Sequence, residues 1–417
     1  MRIDDMERTV LERVEASGDE IVARAIGWSN ISSGSRNLEG LIQQKGRLSD
    51  SFSALPGVVE EVRLAGSIEI ADDGKEVEQS HPEALRIVVR PHADVQVALT
   101  GHYDTVYPAG TSFDRVTTRA DGALSGPGIA DMKGGLSVML AALDAFEAHP
   151  LSGRVGYRVL LSPDEEIGSL ASAPLLHEIG RLAHVGLTYE PAMADGALAA
   201  ARKGSGNFHV VVKGRAAHAG RDFASGRNAI ARAAAIASSL HELNGRWDGV
   251  TINVARIAGG GPLNVVPDTA VVRFNVRFPD QAAAQRLERE LGGLLREPID
   301  SGLTASLHGG FTRPAKPFDE AQAQLFGKVR EAARSLSLDL MWRASGGVCE
   351  GNNLHAAGLP NIDTLGVRGG DIHSPAEHAW PDSFVERTQL SALILMKLAS
   401  GEIDAPAIRR LRAEPEA

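Results

Sequence analysis

The sequence predicts an α/β protein in which a larger module with a mostly parallel sheet is interrupted by a smaller α+β module. The chain has 417 residues, which is more than one hydrophobic core of ordinary size accommodates. Up to about residue 205, continuous apolar strands alternate with helices, as in a sheet covered on both faces. Beyond that point the strands alternate apolar and polar residues, and the first pattern returns after about residue 316.

The larger module begins with an amphipathic helical pattern over residues 5–26. Two β-like stretches, 59–65 and 85–91, then flank a polar segment from Asp72 to Pro82. The next predicted elements are a strand at 95–101, a helix at 134–148 and further strands at 157–162 and 185–190. Parallel strands of this kind place their carboxyl ends at one edge of the sheet, where ligands usually bind.

A different order of elements follows residue 205. It comprises a strand at 208–214, a helix at 228–243, strands at 250–257 and 270–278, a helix at 280–296 and a strand near 303–308. This β-α-β-β-α-β order is that of a ferredoxin-like module with an antiparallel sheet.

The α/β pattern then resumes and ends in a helix over 382–400, and the charged tail from Ala405 is expected to fray. We therefore predict a larger module formed by residues 1–204 and 316–417, with residues 205–315 inserted between them.

Charge and composition exclude several classes of function. The net charge is −10, so the chain has no basic surplus to neutralise nucleic acid or an anionic membrane. No apolar run is long enough to cross a bilayer, and the charged N-terminus lacks the apolar core of a signal peptide. A single cysteine, Cys349, excludes an intrachain disulfide. Together these features predict a cytoplasmic protein that binds neither nucleic acid nor a membrane.

Acidic and histidine side chains concentrate where the predicted strands end. The segments are GHYDTV (101–106), SGPGIADMKGG (125–135), LLSPDEEIGS (160–169), TYEPA (188–192) and GVRGGDIHSPAEHAW (366–380). The glycine-rich second segment lacks both the Gly-Lys-Ser/Thr ending of a phosphate loop and the dinucleotide fingerprint. Its glycines instead favour a sharp turn that brings Asp131 to a shared centre.

The residue types in these segments suit a metal site. His102 and Asp104 point the same way in extended chain, and a carboxylate beside an imidazole orients a metal-bound histidine. Alone, such a pair is more often a surface hydrogen bond. Adjacent Glu165 and Glu166 fit a solvated loop equally well in isolation, but beside the other segments one can bind metal while the other accepts a proton from water.

The five segments resemble the metal-site motifs of the metallopeptidase family that includes glutamate carboxypeptidase, acetylornithine deacetylase and succinyl-diaminopimelate desuccinylase. The likeness runs from about residue 95 to 400 in the family's order and spacing, and it is strongest to bacterial glutamate carboxypeptidase. It implies two Zn²⁺ per chain, with Co²⁺ or Mn²⁺ also acceptable to such ligands. The implied ligands are Asp131 as the bridge, His102 and Glu190 at one ion, and Glu166 and His373 at the other.

The resemblance also implies catalytic roles. Glu165 would be the general base and later the acid, Asp104 would position His102, and the peptide bond between Asp131 and Met132 would be cis. In the insert, GRAAHAG (214–220) resembles a lid motif whose histidine, here His218, reaches the partner's active site in a homodimer and stabilises the oxyanion.

Substrate contacts are implied in the same way. Asn264 matches a substrate-binding asparagine, and Arg277 matches the arginine that binds the substrate carboxylate. Arg368 is either a second anion contact or a surface arginine. The segment SGGVCEGNN (345–353) departs from the Asp-containing turn of many relatives, so Cys349 and Glu350 leave the local pocket open, although no activating pair adjoins Cys349.

The predicted function is two-metal hydrolysis of an amide bond beside a free carboxylate, in a carboxypeptidase that releases a C-terminal amino acid. An N-acyl amino acid deacylase that releases acetate or succinate remains an alternative. A non-catalytic binding protein on the same scaffold is a third possibility.

Overall fold

The structure is a computed structural model that describes residues 1–296 and 302–412. Its α-helices are α1 (Asp5–Ala16), α2 (Gly18–Ser29), α3 (Leu38–Phe52), α4 (Gly135–Glu147), α5 (Ala173–Leu182), α6 (Ala229–His241), α7 (Gln281–Arg296), α8 (Glu320–Ser335), α9 (Glu350–Ala356), α10 (Asp382–Ser400) and α11 (Ala405–Arg410).

The strands occur in several sheets. They are β1 (Val59–Val62), β2 (Ser67–Ile70), β3 (Glu76–Gln79), β4 (Ala84–Val89), β5 (Val95–His102), β6 (Thr117–Thr118), β7 (Leu124–Ser125), β8 (Val155–Ser162), β9 (Val185–Thr188), β10 (Leu198–Arg202), β11 (Gly204–Lys213), β12 (Ala217–His218), β13 (Thr251–Gly259), β14 (Val265–Val266), β15 (Thr269–Phe278), β16 (Thr304–Arg313), β17 (Trp342–Ser345), β18 (Asn361–Ile362), β19 (Gly369–Gly370) and β20 (His378–Ala379).

The central sheet has the order β1-β4-β8-β5-β9-β18. Strands β8, β5, β9 and β18 pair in parallel, and β4 and β1 extend one edge antiparallel. Every residue of β5 after Val95 is buried, as expected for a strand with helices on both faces. The mostly parallel sheet predicted for the larger module is therefore confirmed.

The second sheet is antiparallel throughout and has the order β13-β15-β11-β16. Helix α6 packs against it with Ala233, Ile236 and Leu240. The resulting core is separate from the large core around the central sheet, α4 and α10. The chain order β11-α6-β13-β15-α7-β16 agrees with the predicted ferredoxin-like order. We keep the boundaries 1–204, 205–315 and 316–417 as a prediction.

Two local predictions were wrong, and one hairpin was missed. The helix expected over 5–26 is divided at Ser17, just before Gly18, a residue type that costs free energy inside a helix. The polar segment from Asp72 to Pro82 contains β3, which pairs with β2 in a hairpin. The tail expected to fray forms α11, because Ala405 and Ile408 are buried against the larger core; residues 413–417 lie outside the described part.

The β2–β3 hairpin connects the two sheets. Its Ile70 forms a small buried cluster with Val211 and Val271 of the antiparallel sheet. Arg273 of β15 donates a hydrogen bond of 2.7 Å to the Ile70 carbonyl and lies 2.9 Å from a carboxylate oxygen of Asp72. Among the described helices, none is both long and apolar enough to cross a lipid bilayer.

Candidate metal centre and cleft

The carboxyl ends of β5, β8 and β9 meet at one edge of the central sheet. His102 is the last residue of β5 and lies opposite Ser162, the last residue of β8. The chain beyond β8 carries Glu165 and Glu166, and the chain beyond β9 carries Glu190. Because parallel strands in register end together, side chains from three distant parts of the sequence converge here.

A tight turn places Asp131 between these strand ends. Gly128 has φ of +72°, which the left-handed region allows for glycine, and the Asp131–Met132 peptide bond is cis, as expected. The turn leads into α4, where a Cβ on Gly135 would lie 1.9 Å from the Tyr189 carbonyl oxygen. Glycine at this position therefore lets the start of α4 approach the end of β9.

Asp131 is shared by two groups of potential metal ligands. One group is His102, Asp131 and Glu190, and the other is Asp131, Glu166 and His373; within each group the ligand atoms lie within 4.8 Å of one another. One oxygen of Asp131 is 3.2 Å from Nε2 of His102, and the other is 3.3 Å from Nε2 of His373. This is the arrangement of a carboxylate that bridges two cations.

The chemistry of the donors fits two divalent cations. Oε1 of Glu166 and Oε1 of Glu190 are buried and have no hydrogen-bond partner among the described residues. Burial, together with the charge of Asp131, raises the pKa of Glu166 to about 8 and raises the pKa of Glu190 well above its ordinary value. Buried carboxyls without protein partners are stabilised by metal coordination.

Asp104 links the two sides of this centre. It is fully buried, and its Oδ1 lies 3.3 Å from Nδ1 of His102. Its carboxylate also accepts hydrogen bonds of 3.2 Å from the backbone N–H groups of Glu165 and Glu166 and one of 2.7 Å from the Ser35 hydroxyl. Asp104 therefore orients the loop of paired glutamates as well as His102.

Glu165 has an arginine partner that the sequence analysis missed. Nη2 of Arg313 donates hydrogen bonds of 2.6 Å to Oε1 and 2.9 Å to the backbone carbonyl of Glu165. Nη1 of the same guanidinium donates to Asn353. Arg313 ends β16 and is 1% exposed, so it holds Glu165 in one orientation. Its position within a proline-rich segment gave no signal of this contact.

Glu377 supports the Asp131 turn and was also missed. It is fully buried and accepts hydrogen bonds from the backbone N–H groups of Gly128, Ala130 and Asp131 at 3.2, 2.9 and 3.0 Å. The Tyr107 hydroxyl donates a further bond of 2.6 Å. One carboxylate thus holds the turn that positions the bridging ligand.

The metal centre opens into a cleft of about 550 Å³ between the two sheets. Arg277 of β15 lines it, and Nη1 of this side chain is buried without a described hydrogen-bond partner. Burial and the nearby charge of Arg313 lower the pKa of Arg277. The cleft therefore contains a cation whose guanidinium has donor capacity left for a ligand.

Comparisons with known proteins identify the family. Residues 98–397 match the model of peptidase family M20/M25/M40. The chain belongs to this family. As a member of a peptidase family, the chain is a hydrolase, which confirms the predicted class of enzyme and argues against a non-catalytic binding protein.

Two curated relatives and one solved structure illustrate the similarity. Carboxypeptidase G2 of Pseudomonas sp. (strain RS-16) is 28% identical over 314 residues, covering 73% of this chain and 74% of the relative. Succinyl-diaminopimelate desuccinylase of Xanthomonas oryzae pv. oryzae (strain PXO99A) is 30% identical over 304 residues, covering 68% and 78%. The di-peptidase Dug1p of Saccharomyces cerevisiae has a TM-score of 0.73 at 15% identity, covering 94% of this chain and 98% of that chain.

Three residues implied by the family resemblance lie away from the cleft of their own chain. His218 in β12 and Asn264 before β14 are both exposed, and neither lines the cleft. Arg368 also lies outside the lining, and its guanidinium is 2.7 Å from Asp382 and 3.3 Å from Glu386. The Arg368 side chain is 23% exposed and its Nε has no described hydrogen-bond partner, so a role as second anion contact stays a prediction.

The segment 345–353 contributes to the cleft differently than expected. Cys349 and Glu350 are buried at the start of α9 and do not line the cleft, whereas Gly347 and Val348 do. Burial raises the pKa of the Cys349 thiol well above its ordinary value, which disfavours it as a nucleophile. Within this segment, Cys349 and Glu350 therefore lie behind the cleft wall, while Gly347 and Val348 form part of it.

Proposed function

We propose that this chain uses two divalent cations to hydrolyse an amide bond beside a free carboxylate, as a carboxypeptidase that releases a C-terminal amino acid. The observation that carries the proposal is the pair of ligand groups sharing Asp131, with Glu165 next to them and Arg277 in the same cleft. Similarity to carboxypeptidase G2 supports this choice of substrate.

The ligand set assigns residues to two cation positions. Asp131 would bridge, with His102 and Glu190 on one side and Glu166 and His373 on the other. Oxygen and nitrogen donors without cysteine suit Zn²⁺ and also accept Co²⁺ or Mn²⁺. Bound there, such ions polarise the scissile carbonyl and lower the pKa of the attacking water.

Glu165 moves the proton. Its carboxylate accepts a proton from the attacking water and returns it to the nitrogen of the leaving amine. The hydrogen bond from Arg313 and the backbone bond to Asp104 fix the side chain and its loop, so that the carboxylate does not have to be ordered in each turnover.

Arg277 binds the free carboxylate of the substrate. A guanidinium offers two parallel donors to a carboxylate, and Nη1 of Arg277 lacks a partner within the described chain. Arg368 is left out of the proposed anchor, because it does not line the cleft and its Nη2 is paired with Asp382.

A second copy of the chain supplies the oxyanion donor. His218 and Asn264 lie next to each other through the β12–β14 pair and are exposed outside their own cleft. In a homodimer formed through the inserted module, His218 of one protomer would reach the scissile carbonyl bound by its partner.

A deacylase that releases acetate or succinate is the second candidate, favoured by the desuccinylase relative. Both reactions use the same cations, base and carboxylate anchor. A panel of folyl-, acetyl-, succinyl- and dipeptidyl substrates, assayed with the metal-loaded enzyme, distinguishes them by the ratio of kcat/KM values.

Two neighbouring substitutions test the assignment of the base. We expect Glu165→Gln to lower kcat by about a hundredfold or more, because the general base is lost, while about two cations per chain are retained. Glu166→Gln removes a ligand instead, so both metal content and activity should fall. Metal analysis and steady-state kinetics on both variants give the two readouts. Near-normal turnover in Glu165→Gln, with its metals bound, contradicts the mechanism.

A further inference from the structure

A second cavity adjoins the cleft and has no role in the mechanism above. It has a volume of about 570 Å³ and lies between the β2–β3 hairpin and the antiparallel sheet. We call it the hairpin cavity; its walls include Ile68, Ile70, Leu170, His209, His308 and Phe311. Gly168, Asn207 and Thr312 line both the cleft and this cavity, so the two spaces are adjacent.

The walls of the hairpin cavity are suited to an uncharged apolar group. Ile68 and Leu170 are 57% and 43% exposed, so two large apolar side chains lack cover there. Burying their surface against an apolar part of a ligand would be favourable. Nδ1 of His209 is buried without a described hydrogen-bond partner, which leaves one polar atom available to orient a ligand.

The charges around the cavity disfavour an ionised ligand. Burial and the nearby Arg273 lower the pKa of His209, so this imidazole is neutral at neutral pH. His308 lies 3.6 Å from Glu76 and 3.0 Å from the Ser306 hydroxyl, so its ring is already engaged. Glu76, which lines the cavity, would repel a carboxylate.

The position of the cavity indicates which part of a substrate reaches it. Arg277, the proposed carboxylate anchor, lies opposite Ser205 on β11. From Ser205 the same strand passes Asn207, which lines both spaces, and reaches His209 in the cavity. Four residue steps of a strand span about 14 Å. The cavity therefore lies far from the anchor. The acyl end of an N-acylated amino acid, which is the end opposite the carboxylate, would lie there.

We propose that the hairpin cavity is the subsite for the acyl part of the substrate and that it selects an extended, uncharged apolar acyl group. This inference rests on the proposed hydrolysis, in which the carboxylate is bound at Arg277 and the scissile carbonyl lies at the metal centre. The hairpin therefore contributes to substrate choice through the face that carries Ile68 and Ile70.

Kinetics of an acyl series tests the subsite. N-acetyl, N-butanoyl and N-octanoyl derivatives of one amino acid are assayed with the metal-loaded enzyme. We expect kcat/KM to rise with acyl length, and the octanoyl-to-acetyl ratio to fall about tenfold or more in Ile68→Asp, because a carboxylate then occupies the apolar wall. Val77→Asp is the matched control: Val77 lies on the opposite face of the same hairpin, is 42% exposed and does not line the cavity. That variant should keep the wild-type ratio.

Binding measurements separate this inference from the proposed function. Calorimetric titration of N-octanoyl and N-acetyl amino acids into metal-loaded Glu165→Gln, alone and combined with Ile68→Asp or Val77→Asp, reports acyl preference without turnover. One outcome is that the wild type hydrolyses no member of the series, while the binding preference for octanoyl over acetyl persists and is lost only with Ile68→Asp. In that case the proposed hydrolysis is wrong and the subsite stands. Equal effects of Ile68→Asp on all acyl lengths overturn the subsite. The subsite is also overturned if the amino-acid side chain, rather than the acyl group, sets the preference. The same holds if Ile68→Asp changes the oligomeric state and leaves the acyl preference unchanged.

Discussion

Individual buried carboxylates in this protein differ in what neutralises them. Glu166 and Glu190 each have an oxygen with no protein partner, which is why they suit a cation. Asp363 is neutralised within the chain: Nε of Arg202 lies 2.8 Å and Nζ of Lys316 2.7 Å from its Oδ2. The two basic groups hold the pKa of Asp363 at about 2 despite its complete burial. The first kind of site binds a ligand, whereas the second stabilises the wall of the cleft that Arg202 lines.

The Asp363 cluster gives a prediction for stability. Replacing Asp363 by Asn leaves Arg202 and Lys316 buried without their counter-charge, so we expect the free energy of unfolding at neutral pH to fall by about 3 kcal/mol or more. The folded pKa of about 2 lies below the ordinary 3.8, so the ionised form stabilises the fold above pH ~4. This contribution is lost as pH falls towards ~2, and the difference between variant and wild type should shrink over that window. Urea unfolding across this pH range measures it.

A surface pair provides the control for this prediction. Asp195 lies 2.6 Å from Arg343, and both side chains are more than half exposed, at 57% and 54%. Asp195→Asn should therefore change the free energy of unfolding by about 1 kcal/mol or less. A loss as small as this in Asp363→Asn would show that the buried cluster does not stabilise the fold.

At the level of elements, the ends of strands and the turns between them determine where the ligands lie. The strands that end at the site and α4 were predictable from the lengths of their apolar runs and the glycines that flank them. The contact that supports the Asp131 turn was not predictable, since Glu377 is 246 residues away from Asp131 in the sequence. Nothing in a local pattern indicates which distant carboxylate will accept three backbone N–H groups.

Glu377 gives a prediction about metal affinity. In Glu377→Gln an amide N–H₂ group replaces one of the acceptor oxygens that face the N–H groups of the turn, so Asp131 should be held less firmly. We expect cation affinity to fall about 10- to 100-fold, as for other residues that orient metal ligands, with activity partly recovered at high metal concentration. Glu386→Gln on α10, which removes a partner of Arg368 outside the cleft, is the control and should titrate like the wild type. Unchanged affinity in Glu377→Gln would mean that the turn holds its shape unaided.

At the level of the whole molecule, the two main sheets of the described chain have separate cores and face each other across the cleft. The β2–β3 hairpin adds a second connection between them, through Ile70 and the Arg273–Asp72 pair. Neither core by itself contains a complete proposed site, because Arg277 comes from one sheet and the metal ligands from the other. In the proposed mechanism, His218, which is exposed, would come from a second copy of the chain.

Mixing two inactive variants tests the proposed homodimer. Glu165→Gln retains His218, and His218→Ala retains Glu165, so a mixed dimer contains one intact site. After unfolding and refolding together in equal amounts, about half of the dimers are mixed, and about a quarter of wild-type activity should return. Each variant refolded separately gives the baseline. If both variants are dimeric and mixing restores nothing, His218 does not act across the interface.

The sequence by itself determined the class of fold, the order of the elements in the inserted module and the segments that carry the candidate metal-site residues. These follow from apolar periodicity and from motifs only a few residues long, which are properties of local chain. Only the tertiary structure decided that Arg313 holds Glu165, that Glu377 holds the Asp131 turn, that Arg368 is engaged away from the cleft and that the hairpin encloses a second cavity. Each of these depends on contacts between residues far apart in the chain, and the free energy of such contacts is set by burial and geometry that no local pattern encodes.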